Sequence, residues 1–181
     1  MNKDNYHILM IFQRKKDNPD LRKSTVCIFQ DCLKVKHILE RKDMYADIAE
    51  KNKARVYVSV NPVDMKKTRK DLAVRLIQTD FDSENKTNVL RLAYSSAMRC
   101  PKKEGKIFLV YVDTNKIGFV EEISERLTGR GLIHKIVRTP NGYHVLSEPF
   151  DVRLLEGIPD VEVKKDGMTY IEYLEMMYNG K

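Results

Sequence analysis

Large apolar side chains gather first in a short run from His7 to Gln13, which predicts a strand. Arg14 to Lys23 is polar, contains Pro19 and reads as a loop. Val26, Ile28 and Leu33, with Phe29 between them, predict a second strand over Ser24 to Leu33. From Lys36 to Lys53 the period changes. Ile38, Leu39, Tyr45, Ile48 and Ala49 recur at three and four residues with charges between, as on an amphipathic helix. Strict alternation returns in Arg55 to Val60, with Val56, Val58 and Val60 on one side of a strand that Asn61 and Pro62 end.

A basic helix is expected over Asp64 to Thr79, with Leu72, Val74, Leu76 and Ile77 as its apolar side. After a polar turn at Asp80 to Lys86, Thr87 to Met98 reads as a helix with Val89, Leu90, Leu92 and Ala93 inward. Pro101 to Gly105 is a loop. The strongest strand is Lys106 to Val112, KIFLVYV, a near-continuous apolar run that suits a central strand covered on both faces. A helix over Phe119 to Leu127, stopped by Gly129, precedes a strand at Leu132 to Thr139. Asn141 and Gly142 then make a tight turn into a partner strand, Tyr143 to Ser147. Val161 to Val163 and Met168 to Tyr173 are two further strands around a turn at Asp166 and Gly167, and the tail after Glu175 is either helix or frayed. No repeat or low-complexity segment interrupts this order. The pattern predicts one α+β domain over residues 1–181 with a mixed sheet: strands and a helix in 1–53, then a core over 55–173.

Composition adds a charge asymmetry. The 181-residue chain carries a net +7. Lys51 to Val110 holds 14 Lys plus Arg against 6 Asp plus Glu, an excess of +8, so the remainder is close to neutral. Lys66, Lys67, Arg69 and Lys70 crowd the first turns of the basic helix, where positive charge opposes the helix dipole. Such a cluster either keeps a face wet or meets a polyanion. Cys27, Cys32 and Cys100 are odd in number and form no CxxC pair, which argues against a disulfide framework and a thiolate zinc site. A reducing, cytoplasmic setting fits. The apolar run Ile8 to Phe12 is too short for a signal segment, and no stretch approaches the ~18 apolar residues of a membrane helix.

Three segments carry side chains suited to chemistry. In KIFLVYVDTN the strand ends at Asp113, and Asn115 lies two residues on, hence on the same side if the backbone stays extended. Paired oxygen ligands so placed can share divalent cations in phosphoryl transfer, and an Asn carbonyl can serve a hard cation, without adding charge. Asp and Asn are equally common as capping residues where a strand becomes a loop. In KIVRTPNGYHVLSEPFD the hairpin turn sets Arg138 and His144 on neighbouring strands, where a triphosphate or nucleic-acid backbone is a natural guest. A lone strand His is also commonly a hydrogen-bonded structural residue. In PDVEVKKDGMTYIEY, Glu162 alternates with Val161 and Val163 and would ordinarily face water, with Lys164 and Lys165 following.

Together, VDTN, NGYHV and VE resemble the three ordered motifs of archaeo-eukaryotic primases and of the related primase-polymerases of phages and plasmids. Upstream, RVYVSVNP followed by a charged helix is similar to the strand and Asn-Pro turn of the phage and plasmid branch. NGYHVLSEPFD is similar to that branch's His-bearing strand, and KKDGMTYIEY to a Lys-rich turn and strand of small phage relatives. The resemblance covers Arg55 to Tyr173. It implies a primase-polymerase fold with an RRM-like catalytic core, a mixed sheet and flanking helices. Asp113 and Glu162 would hold Mg2+ or Mn2+, with Asn115 standing where the family carries a second carboxylate. His144 would contact nucleotide phosphates, and Arg138 and Lys165 would be further phosphate contacts. Arg55, Lys66, Lys67, Arg69 and Lys70 would hold the nucleic-acid strand.

Three readings follow from the resemblance. One is metal-dependent nucleotidyl transfer from nucleoside triphosphates on a nucleic-acid template. The other, favoured by Asn115, is a degenerate member that grips nucleic acid or nucleotide without turnover. A third is a subunit whose missing groups come from a protein partner in replication.

Overall fold

A computed structural model of the chain describes residues 2, 4–79, 89–114, 117–128 and 133–179. In chain order the elements are β1 (Tyr6–Arg14), β2 (Thr25–Lys34), α1 (Val35–Glu40), α2 (Lys42–Lys51), β3 (Ala54–Ser59), α3 (Met65–Gln78), α4 (Val89–Arg99), β4 (Phe108–Val112), α5 (Ile117–Thr128), β5 (Ile133–Thr139) and β6 (Gly142–Ser147). A 3-10 turn (Val152–Leu155) then leads to β7 (Val161–Lys164), β8 (Met168–Tyr170) and α6 (Glu172–Asn179). The α+β character matches the sequence pattern. The chain forms two compact units, Met1–Lys102 with Tyr170–Lys181, and Lys103–Thr169.

In the first unit β1 pairs antiparallel with β2 on one side and β3 on the other. The register sets Leu9 opposite Val58 and Ile11 opposite Val56, so the alternation read in Arg55 to Val60 becomes one buried face. Val35 and Ile38 of α1 and Tyr45 and Ala49 of α2 are buried with it. The helix expected over Lys36 to Lys53 is divided at Arg41, which leaves the helical region with φ −111 and ψ 16. Both pieces keep their apolar residues inward.

Two helix faces differ from the expectation. Val74 and Ile77 of α3 are 52% and 86% exposed, and Val89 and Leu90 of α4 are exposed too. The inward line of α3 runs instead through buried Thr68 and through Arg75, seven residues on. Arg75 Nη1 reaches Ser96 Oγ at 3.1 Å, Leu92 O at 3.4 Å and Ser95 Oγ, all on α4. The matching line on α4 is Leu92, Ser96 and Ala97. Leu92 is buried and Leu72 and Leu76 are half-buried, as expected, and the polar bonds of Arg75 are added to them. The turn expected at Asp80 to Lys86 lies outside the described residues.

The second unit holds a sheet of order β5-β6-β4-β7, every pair antiparallel. The mixed sheet expected from the sequence is therefore corrected to two sheets whose registered pairs are antiparallel. The two-residue hairpin at Pro140 and Asn141 imposes the antiparallel sense on β5 and β6. The strands either side of Asp166 and Gly167 do not pair with each other: β7 joins β4, while β8 falls in the β2-β1-β3-β8 sheet. β4 has a strand on each side, and Phe108, Leu109, Val110 and Val112 are buried, as its unbroken apolar run requires. Val110, Val112 and Val145 turn to one face and pack with Val120, Ile123 and Leu127 of α5 and with Leu155 and Ile158. The opposite face carries the candidate site.

Candidate active site

Cross-strand partners share a face, so the register states which side chains meet. Val137 is opposite His144, His144 opposite Tyr111, and Tyr111 opposite Glu162. One row across β5, β6, β4 and β7 therefore reads Val137, His144, Tyr111, Glu162. The next row on this face reads Lys135, Leu146, Leu109, Lys164. Asp113 lies two residues beyond Tyr111, just past the end of β4, and its backbone N–H donates to Asp160 O at 2.9 Å. That bond continues the β4–β7 ladder by one step, making Asp113 and Glu162 diagonal neighbours across two strands, a separation of ~7–8 Å.

Gly142 brings the first two motifs together. A Cβ at this position would stand 1.9 Å from Val112 O and 2.9 Å from Thr114 N. Only glycine lets the hairpin tip close onto the end of β4 where Asp113 begins.

His144 is 6% exposed. Its Nδ1 lies 2.9 Å from Thr169 Oγ1, and its ring meets Tyr111 edge-on at 4.6 Å and 88°. Burial pushes its pKa down to about 4, partly opposed by the nearby Asp113 carboxylate, so the ring is neutral near pH 7. Tyr111 donates its hydroxyl to Met168 O at 2.6 Å. Glu162 is exposed and ion-paired with Lys164, two residues on and on the same face.

Not every residue named from the sequence gathers here. Asp113, His144 and Glu162 do. Arg138 is exposed but opposite Tyr143, so it takes the α5-covered face, away from His144. Lys165 follows the last residue of β7, at the end of that strand away from Asp113; Lys164 is the cation on the site face. Asn115 lies outside the described residues. In the other unit Lys66, Lys67, Arg69 and Lys70 are exposed on α3. Arg55 is engaged within its fold: Nη2 donates to Asp17 Oδ1 at 2.5 Å and Nη1 to the Tyr170 hydroxyl at 3.0 Å. Burial opposes its charge, yet the bonds to Asp17 and Tyr170 hold its pKa above the ordinary value.

Sequence reasoning missed Tyr111, Thr169, Lys135 and Lys164, whose place depends on pairing order. It also missed His7, which is 1% exposed in the first unit. His7 Nδ1 donates to Ser59 O at 2.7 Å and Nε2 accepts from the Tyr178 hydroxyl at 2.9 Å. Burial lowers its pKa to about 4 as well.

Among the described residues no three His, Cys, Asp or Glu side chains converge as a metal cluster. No helix among them is long and apolar enough to cross a membrane. Comparison of the chain with protein-family models, curated proteins and solved structures finds no match.

Proposed function

We propose that this chain is a primase-polymerase-like protein that binds a nucleoside triphosphate at the face of β4, β6 and β7 and joins nucleotides on a nucleic-acid strand. The observation that carries this reading is adjacency: three motifs far apart in sequence fall on three neighbouring strands, with Asp113, His144 and Glu162 on one face near one end. Asp113 and Glu162 would hold Mg2+ or Mn2+, which when bound neutralises charge on the transferring phosphoryl oxygens. His144, kept neutral by burial, would give a phosphate oxygen a hydrogen bond without needing to be protonated. Lys164 and Lys135, at the two edges of the second row, supply positive charge for a polyphosphate. The exposed lysines and Arg69 of α3 would hold the strand through its phosphates.

A second reading is binding without turnover. The Glu162–Lys164 ion pair favours it, because a carboxylate already matched by a cation is a poorer metal ligand. The amide at Asn115 points the same way. Nucleotide incorporation on a single-stranded template with Mn2+ separates the two. Incorporation by the wild type that Asp113→Ala abolishes supports the enzyme. Incorporation only in Asn115→Asp supports the degenerate site. No incorporation in any form, with strand binding indifferent to salt, would overturn both.

A further inference from the structure

The two sides of α3 are put to different uses. Its inward line runs through buried Thr68 and through Arg75, whose guanidinium bonds to α4. The opposite side carries Lys66, Lys70, Ala73 and Ile77, all exposed. They follow one another at four, three and four residues, the spacing by which one helix presents a continuous seam to another. Val74 flanks the seam, and Ile77, 86% exposed, is the most exposed large apolar side chain among the described residues.

The α3–α4 hairpin widens the apolar end. Asp64 N–H donates to Cys100 O at 2.8 Å, joining the start of α3 to the end of α4, while Arg75 bonds to Leu92 and Ser96 further along. The helices are therefore antiparallel, and Val89, half exposed in the first turn of α4, lies at the same end as Ile77. The other end is charged. Lys67 is drawn to Asp64 at 3.2 Å, but Lys66 and Lys70 form no ion pair among the described residues.

Whatever covers this seam must match both halves. A phosphate backbone satisfies the lysines and gains nothing from aliphatic carbon, and α3 carries no aromatic ring on which a base could stack. A lipid surface suits an apolar stripe along a whole helix with cations on the polar face. Here lysines and apolar groups share one line, end to end. Two copies of α3 do not match either: in parallel they oppose lysine to lysine, and antiparallel they set lysine against Ile77. A helix with carboxylates at one end of its seam and apolar residues at the other matches both halves. The lysines also stand at the positive end of the α3 dipole, which adds to the pull on carboxylates.

We propose that the outer seam of α3 is a docking surface for an acidic amphipathic helix of a partner protein, its carboxylates on Lys66 and Lys70 and its apolar residues on Ala73, Val74 and Ile77. The proposed function gives the same lysines to a nucleic-acid strand. The docking surface does not rest on that reading, and the two occupants differ in their use of Ile77.

The test titrates the full chain with a labelled, stapled helical peptide whose seam has glutamates in one half and leucines in the other, made in both chain directions. A control peptide of the same composition interleaves them. Saturable binding in one direction is expected, with the control about tenfold weaker. Ile77→Gln, at an exposed position and checked for fold by circular dichroism, should weaken the peptide about tenfold and leave a single-stranded oligonucleotide unaffected. Lys70→Glu should weaken it at least as much, and a peptide with lysine in place of the facing glutamate should restore binding. No saturable binding in either direction, equal binding of the interleaved peptide, or binding that Ile77→Gln leaves unchanged would overturn the proposal. So would an Ile77→Gln variant that instead loses an oligonucleotide, phosphatidylserine vesicles or a dimer with itself, since each names a different occupant.

Discussion

Among the described residues each unit buries one histidine, and the two rings differ in what their Nδ1 atoms meet. His7 is spent on the fold. Nδ1 is committed to Ser59 O and Nε2 to Tyr178, whose hydroxyl accepts in turn from Asn5 Nδ2 at 3.4 Å, while Asn5 Oδ1 accepts from Lys102 Nζ at 2.6 Å. Every member of that chain has a defined donor or acceptor role. His144 meets Thr169 at Nδ1 and Tyr111 edge-on, in the sheet whose β4 and β7 lead to Asp113 and Glu162. Both rings are neutral for the same reason, burial. Equal pKa depression therefore does not separate a structural histidine from a candidate functional one; the chemistry at Nδ1 does.

The largest expected effect is acid sensitivity. Each ring falls from 6.5 to about 4 on folding, so the unfolded chain takes up protons first. Stability is full above pH 6.5, declines as pH drops toward 4, and levels off below. Each ring contributes on the order of 3 kcal/mol to that decline. Denaturant titrations at pH 7, 5.5 and 4 check it, and a flat profile would mean that neither ring is as dry as its surroundings suggest. Next in size, His7→Ala should cost about 3 kcal/mol, because it leaves Ser59 O and the Tyr178 hydroxyl without their partner. His144→Gln should cost less stability and instead weaken triphosphate binding by about tenfold or more. Equal stability losses in the two variants, with binding untouched in the second, would erase the distinction between the rings.

Much of this could be read from the chain, and the losses have physical causes. β4 was legible because an unbroken apolar run has few alternatives to a covered central strand. Its neighbours were not, since pairing order is set by long-range packing. Even so, the side of the sheet taken by Arg138 was there to be found. A two-residue turn at Pro140 and Asn141 fixes Thr139 opposite Gly142, hence Arg138 opposite Tyr143 and Val137 opposite His144. The turn signal gave the hairpin; counting back from it would have given the face. Thr169 had no such signal, because nothing local says that the turn at Gly167 lands on Leu109. Val74 and Ile77 misled because hydropathy marks apolar residues, whereas the inward line of α3 was set by Thr68 and by the bonds of Arg75 to α4.

The smallest effect separates two cations of the basic stretch that the sequence treated alike. Lys70 is exposed on α3, whereas Arg55 has its guanidinium committed to Asp17 and Tyr170. A residue that meets phosphate releases counterions, so its removal changes how steeply binding falls with salt. One already paired inside the fold changes stability instead, because Asp17 loses its partner. Lys70→Gln should flatten the plot of log affinity against log salt for a single-stranded oligonucleotide by about 0.7, the contribution of one phosphate contact, with stability unchanged. Arg55→Gln should leave that slope alone and lower the melting temperature. The reverse pattern would move the nucleic-acid surface from α3 to the sheet that carries Arg55, and would make the Asp17 pair a latch that the strand displaces.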